Sequence, residues 1–349
     1  MKWIENFLWG GERLLPGIDI GTYSIKLVQL EKQKENYSLK VKGEIIYEDQ
    51  VFAGSEIVDA FTLASYVKEI LKMNLIEEKE VAIHIPLVSC FYSVISSPPT
   101  QPPEEAVMNY MQSIISPEEL AQVKVDYRVL PVSIDNNNLD IAVAAIKREY
   151  LEERIGIVVQ AGLKPVVVDI EPATISNQFY FNYPDETGSP VCIVDIGATF
   201  TKIVVSFGGY PYITRNVEYG GNSITEHLQK EFLLGVEEAE SLKKGETVND
   251  ITYEEAFDKV IREAIKKIVT EVLWTIDNFK DRFNMDVNKI YLYGGSSKLE
   301  GIVEVFKDVS KKEVFKGKPF KFKNESKSEE FGIAVGLSLR YKGDSDVKV

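Results

Sequence analysis

Residues 16–30 read PGIDIGTYSIKLVQL, and residues 192–206 read CIVDIGATFTKIVVS. Each places Asp-Ile-Gly at the end of an apolar run, then small or hydroxylated residues, then a second apolar run beyond a lysine. Such a pattern predicts a strand, a tight turn and a second strand. The neighbouring segments are also alike in the two places. After the first, SIKLVQLEK and YSLKVKGEIIYED predict two strands joined through Gln33 to Glu35. A helix over Gly54 to Met73 comes next, with Ile57, Phe61, Leu63, Val67 and Leu71 near the helical period, and then the strand EVAIHIPL at 80–87. After the second, TKIVVSFG and YPYITRNVEYG turn at Gly208-Gly209. A helix opens near Asn222, capped by Asn222 or Ser223, and KIYLYGG at 289–295 closes the set. One strand order occurs twice, so the repeat is a whole supersecondary unit. Three meandering strands followed by a helix imply a mixed sheet with helices packed on it.

Composition narrows the chemistry. The 349 residues suffice for two domains with real cores. Fifty-four acidic against 40 basic residues give a net charge of −14, the opposite of the basic surface that binds nucleic acid. Cys90 and Cys192 each sit in an apolar run, with no disulfide framework or zinc spacing, as in a reducing compartment. His84 and His227 stand far apart without supporting residues and are expected to be structural. No apolar run approaches the ~20 residues that span a bilayer. The start, MKWIENFLWGGERLL, lacks the apolar core of a signal peptide. It places Trp3, Ile4, Phe7 and Leu8 on one helical stripe beside Trp9, expected to pack on the protein's own body, with contact to a membrane or a partner as the alternative.

Two segments stand outside the repeat. Residues 89–166 hold the loop SSPPTQPPEE and a helix from Glu104 to Ile115. The strands VKVDYRVLPVSI and LDIAVAAIK come after it, with a turn at Asp135 to Asn138, then a helix from Glu149 to Ala161. This is a compact α+β insertion. The second insertion, 226–254, is helical and polar. The longest helix runs from Tyr253 to Phe283, with Ile261, Ile265, Ile268, Val272, Ile276 and Phe279 at three- and four-residue steps. The resulting division is a first domain of 1–88 with 167–190 and 330–349, carrying the 89–166 insertion. The second domain is 191–225 with 255–329, carrying 226–254.

The repeated turn has a chemistry. Its glycine permits a tight bend and clears the approach path. Successive turn N–H groups make an anion-binding concavity. Thr22 and Ser24 in one copy, and Thr199 and Thr201 in the other, can donate to phosphate oxygens. Asp19 and Asp195 would repel phosphate and suit Mg²⁺ held through waters. Two such hairpins facing each other would grip a polyphosphate from both sides. The stretch YLYGGSSKLEGI (291–302) adds a strand, a Gly-Gly-Ser turn and a helix whose N-terminus favours an anion.

In combination these motifs resemble the actin-like ATPase superfamily. Its phosphate-1 motif is similar to 17–26, phosphate-2 to 193–202 and the adenosine motif to 292–302; its connecting helices are similar to 171–179 and 331–340. The resemblance implies an α/β fold with an inserted α+β subdomain: two ribonuclease-H-like domains around a nucleotide cleft. It assigns Gly21, Thr22, Tyr23, Ser24 and Lys26 to the first phosphate turn, and Gly197, Ala198, Thr199 and Thr201 to the second. Gly220, Gly221 and Asn222 match a turn beside the phosphates. Glu240 and Lys243 match a helix touching adenosine, and Gly294, Gly295 and Ser296 match the base-side loop. Asp19 and Asp195 are its metal-side acids, and Glu171 stands where a water-orienting residue is often found. The implied cofactors are ATP or ADP with Mg²⁺. Ala198 replaces a glycine common in stronger ATPases, which implies at most a slow ATPase.

The position of the 89–166 insertion resembles the FtsA and PilM branch. FtsA ends in an amphipathic membrane helix, whereas SLRYKGDSDVKV is polar, so the sequence resembles the PilM family of type IV pilus assembly. That resemblance implies a cytoplasmic ATP-binding scaffold at the inner membrane, peripheral to it through a partner. The partner is the N-terminal cytoplasmic peptide of a PilN-like protein, with other pilus platform components or a secretion ATPase as further contacts. An FtsA-like polymer and a small-molecule kinase are the competing expectations.

Overall fold

The computed structural model describes residues 14–33, 36–135, 137–323 and 328–341. The aromatic stripe at Trp3 to Trp9, the centre of the Gln33–Glu35 turn and the tail beyond Tyr341 lie outside them. The chain divides into two units, Met1–Phe181 with Ile333–Val349, and Asn182–Gly332.

Unit 1 is built on β1 (Gly17–Ile20), β2 (Ser24–Gln33), β3 (Asn36–Ile46), α1 (Ala60–Met73) and β4 (Glu80–Ile85). After these come β5 (Cys90–Ser97), α2 (Pro103–Ile114), β6 (Val123–Val129), β7 (Leu139–Lys147), α3 (Arg148–Gln160), β8 (Lys164–Ile170) and α4 (Glu171–Asn182). The main sheet has the order β8-β4-β1-β2-β3. β1 pairs antiparallel with β2, and parallel with β4, which pairs parallel with β8. β1 is buried along its whole length, as a central strand covered on both faces must be. α1 starts later than the period suggests. The Asp59 carboxylate accepts the Thr62 N–H at 2.9 Å and fixes the start there. The residues before it form a two-residue ribbon, Phe52–Ala53 with Glu56–Ile57.

The insertion has its own three-stranded sheet, β5-β7-β6. Ala106, Val107 and Met111 of α2 pack there on Ile141, Val143 and Ala145 of β7. β5 is a strand that the sequence reading, whose loop begins only at Ser96, leaves unassigned. α3, grouped by sequence with the insertion, buries Ile157 and Val158 in the main core with Ile18, Leu63 and Val67. It is therefore the joint between insertion and sheet.

Unit 2 comprises β9 (Val191–Ile196), β10 (Thr201–Phe207), β11 (Tyr210–Val217), α5 (Gly221–Phe232) and α6 (Val236–Lys243). It continues with α7 (Arg262–Phe283), β12 (Lys289–Tyr293), α8 (Ile302–Ser310) and β13 (Glu313–Lys316). Its sheet order, β11-β10-β9-β12-β13, repeats that of unit 1 with the same strand senses. The register repeats too: Asp19 opposes Lys26, and Asp195 opposes Lys202. Gly208 and Gly209, at φ 62° and 95°, make the β10–β11 turn in the left-handed region that such hairpins need. α7 buries Ile265, Ile268, Val272, Ile276 and Phe279.

The last helix, α9 (Gly332–Ser338), returns to unit 1. A Cβ on Gly336 would stand 2.1 Å from the Thr174 carbonyl oxygen, so only glycine lets α9 and α4 approach this closely. Ser338 Oγ accepts the Leu30 N–H at 2.8 Å, beside the bulge between Gln29 and Leu30 in β2.

Candidate functional site

Each unit carries a candidate site at the tip of its central hairpin. In unit 1 the Gly21 N–H donates to the Ser24 carbonyl at 3.2 Å, closing the β1–β2 turn. Tyr23 is exposed at its tip, and Gly21 and Thr22 are half-buried. Ser24 is buried and occupied: its hydroxyl donates to Glu44 Oε1 at 2.7 Å and accepts from Lys26 Nζ at 2.7 Å. Lys26 also lies 3.6 Å from Glu44, its register partner on β3.

Asp19 is buried at 4% exposure, and His84 Nε2 on β4 hydrogen-bonds its Oδ1 at 3.0 Å. His84, expected to stand unsupported, is thus the neighbour of the first candidate metal-side acid. Glu171 is also buried, and its Oε2 accepts the Leu87 N–H at 2.8 Å, so it anchors backbone as well as opening α4. Arg154 completes this cluster in unit 1. Its Nη1 donates to the Ile20 carbonyl at 3.3 Å, immediately before the turn. Burial lowers its pKa, while Tyr47, Glu171 and Asp19 among others act in the opposite direction. Arg154 shares the buried stripe of α3 with Ile157 and Val158. An arginine in an apolar stripe was the sequence signal available for it.

Unit 2 draws more of the expected residues together. The Gly197 N–H donates to the Phe200 carbonyl at 2.9 Å, closing the β9–β10 turn. The Gly221 and Asn222 N–H groups then donate to the Gly197 and Ala198 carbonyls at 2.9 and 2.8 Å. The N-terminus of α5 is thereby clamped onto the turn. A Cβ on Gly220 would lie 2.6 Å from the Ala198 oxygen, so the clamp requires glycine there. Gly220, rather than Asn222 or Ser223, is the helix cap, and no side chain caps it. Ser296 Oγ donates to the Gly197 carbonyl at 3.0 Å, which brings the Gly-Gly-Ser loop to the same turn. Gly294, at φ 85°, presses its backbone against Asp195 and Ile196. Gly295 opens a 3₁₀ turn with open space at its Cα, and α8 begins only after Gly301. The helix N-terminus expected at this loop is therefore six residues further on.

Glu240 and Lys243 meet the same place from α6. Lys243 Nζ donates to the Gly221 carbonyl at 3.1 Å, to Thr225 Oγ1 at 2.7 Å and to Glu240 Oε1. Thr225 also bonds Glu240. Burial pushes the Glu240 carboxyl up, but its bonds from Lys243 and Thr225 win and hold it below the usual carboxylate range. At Lys243 burial wins, and its ammonium sits below the usual lysine range. Asp195 Oδ2 is 3.1 Å from Lys202 Nζ, a residue at the same offset from its acid as Lys26. Thr199 is half-buried. Thr201 is buried and donates to the Tyr219 carbonyl at 2.7 Å, so its hydroxyl fastens the segment between β11 and α5.

Each hairpin has the makings of an anion-binding turn beside a carboxylate. Among the described residues, no group of three or more His, Cys, Asp or Glu could hold a metal ion. None of the described helices is long and apolar enough to cross a membrane.

A family model described as "Type IV pilus assembly protein PilM" matches residues 17–341. The cell division protein FtsA of Escherichia coli K12 is 27% identical over 141 residues, 40% of this chain and 30% of that protein. FtsA of Neisseria meningitidis serogroup B is 28% identical over 202 residues, 51% of this chain and 48% of that protein. The chain thus covers less than half the length of these curated relatives. A solved "PilM-PilN type IV pilus biogenesis complex" contains a chain with TM-score 0.80 and 24% identity, with 94% of this chain and 98% of that one covered. The ethanolamine utilization protein EutJ of Carboxydothermus hydrogenoformans gives TM-score 0.58 at 18% identity, over 96% and 94%. MreB5 of Spiroplasma citri bound to ADP gives 0.54 at 15%, over 93% and 94%. The fold expected from the two hairpins, an actin-like one, is therefore the fold found.

Proposed function

The chain belongs to the family of the type IV pilus assembly protein PilM, and on that premise we propose that it is a cytoplasmic ATP-binding scaffold at the inner-membrane platform of a pilus or related secretion machine. Its partner is the N-terminal cytoplasmic peptide of a PilN-like protein. The observation that carries this reading is the family match over 17–341, joined to near-complete overlap with a chain solved in a PilM-PilN complex. The insertion supports a docking role. Phe91, Met108, Ile114, Tyr127 and Val129 leave large apolar side chains exposed there. FtsA similarity supports a filament-forming alternative only over part of the chain.

A nucleotide is supported by the convergence in unit 2 and by the fold shared with MreB5, solved with ADP and with AMPPNP. Gly197, Ala198 and Thr199 would line its phosphates. Glu240, Lys243, Gly294, Gly295 and Ser296 would stand on the adenosine side. In unit 1 the turn from Gly21 to Ser24 and Lys26 plays the matching part. A magnesium ion would neutralise phosphate charge. The Tyr47 hydroxyl, close enough to feel the Asp19 charge, is buried with no hydrogen-bond partner in the structure, as fits a place for coordinated water. Ala198 adds a methyl group at the phosphate turn, and Glu171 is engaged with the Leu87 N–H. Both support slow turnover.

The partner reading is tested by titrating a synthetic N-terminal peptide of the PilN-like protein from the same organism. Saturable binding that Phe91→Ser and Tyr127→Ser weaken at least tenfold is expected. No binding with or without nucleotide would refute the partner assignment.

A further inference from the structure

Residues 316–323 read KGKPFKFK: four lysines in eight residues and no acid, in a chain whose net charge is −14. All four are exposed, and so are Phe315 just before them and Lys311 at the end of α8. Among the described residues none of these five lysines pairs with a carboxylate. Exposed lysines elsewhere in unit 2 do. Lys259 meets Glu255 at 2.8 Å, Lys266 meets Glu263 at 2.6 Å and Lys280 meets Asp286 at 2.7 Å. The unpaired segment follows β13, the edge strand of its sheet, and its backbone is fastened down. The Gly317 N–H donates to the Leu292 carbonyl at 2.8 Å, and a Cβ on Gly317 would stand 2.1 Å from the Tyr293 ring. The Asn182 amide donates to the Pro319 carbonyl at 2.9 Å and accepts the Lys321 N–H at 3.1 Å. The Tyr183 hydroxyl accepts the Lys318 N–H at 3.2 Å. Lys321 Nζ lies 4.2 Å from the centre of the Tyr183 ring, and Phe315 stacks on Tyr291 with ring centres 5.2 Å apart. A backbone fixed in advance lowers the ordering cost of binding.

Lysine on an edge strand deters pairing with another sheet, which accounts for Lys316. Lys318, Lys321 and Lys323 lie past the strand and need another reason. Resting on the inner-membrane setting proposed above, we infer that this edge of unit 2 is a contact for an anionic phospholipid surface. The unpaired ammonium groups meet headgroup phosphates, and Phe315 sets an apolar ring at the headgroup boundary. The net charge of the whole chain does not cancel this attraction, because charges more than ~8 Å away are screened at physiological salt. The contact adds to docking on a membrane-embedded partner, since two attachments to one surface reinforce each other.

The test is co-sedimentation of the full chain with vesicles of phosphatidylethanolamine and phosphatidylglycerol, against vesicles of phosphatidylcholine. Wild type should bind the anionic vesicles alone, and added salt should release it. Lys316→Gln with Lys318→Gln and Lys323→Gln should weaken that binding ~100-fold, about fivefold for each lysine near the surface, at an unchanged melting temperature. Lys259→Gln with Lys266→Gln and Lys280→Gln removes the same charge from paired lysines and should bind within about twofold of wild type. Wild type that stays in the supernatant with anionic vesicles overturns the inference. So does equal loss in the two triple variants, or full binding retained in the first. Polyglutamate bound more tightly than the anionic vesicles would assign the lysines to an acidic protein segment and overturn it too. The PilN-like peptide is titrated into the same proteins, and both variants should bind it as wild type does. Failure of that titration strikes the partner reading and leaves the vesicle result standing, so the two are told apart.

Discussion

At the scale of single residues, Glu240 ties three parts of unit 2 together. Its carboxylate takes bonds from Thr225 and Lys243, and Lys243 also holds the Gly221 carbonyl. Its folded pKa is depressed. The stabilisation it gives is therefore complete above the unfolded carboxylate value near ~4.3 and is lost as pH falls through the lower folded value. Glu240→Gln should cost ~1.5–3 kcal/mol at pH 7, the worth of hydrogen bonds to a charged group. Urea unfolding at pH 7 and at pH 3 should show the gap between wild type and variant narrowing in acid. The two acids and the glycines beside them were legible in sequence, because only a few residue types turn a chain tightly next to a charge. The hydroxyls were not. Thr201 lies one position into β10, opposite Ile196, while Ser24 is the residue whose carbonyl closes the other turn. Strand alternation sends such neighbours to opposite faces, and a motif read as a string does not show the face. Lys202 and His84 were missed for a related reason: their meaning arises only once the strands are paired.

At the scale of elements, the strand order was readable because apolar runs and turn glycines mark strands directly. Where a helix belongs was harder. α3 is grouped by sequence with the insertion but buries Ile157 and Val158 in the main core of unit 1. Ile157→Ala should therefore cost ~2–5 kcal/mol, as for other large-to-small changes in a packed core. It should loosen the β1–β2 turn as well, since Arg154 reaches the Ile20 carbonyl from the same helix face. Val143→Ala, in the separate core of the insertion, should leave that turn intact. Hydrogen exchange across 17–30 distinguishes the two: faster exchange in Ile157→Ala alone is expected, and equal exchange in both variants would deny α3 its joining role. The late start of α1 and the 3₁₀ turn after Gly294 escaped the sequence pattern because caps and loop geometry decided them, not hydrophobic period.

At the scale of the whole molecule, duplication explains the architecture. Two five-stranded sheets of one order and one register carry two acid-tipped turns. Family membership gives the setting, pilus assembly, while the turns give the chemistry on which the account depends. The measurement that tests it most directly is thermal unfolding of the intact chain with ATP or ADP, with and without magnesium, against Gly294→Ala. A Cβ at Gly294 would lie 2.4 Å from Asp195 Oδ1, so the variant strikes the loop and the acid together. The account predicts stabilisation of wild type that rises with nucleotide, ~2.7 kcal/mol at a hundredfold excess over Kd, and little or none in a folded Gly294→Ala. A wild-type melting temperature indifferent to both nucleotides at every magnesium concentration would contradict it.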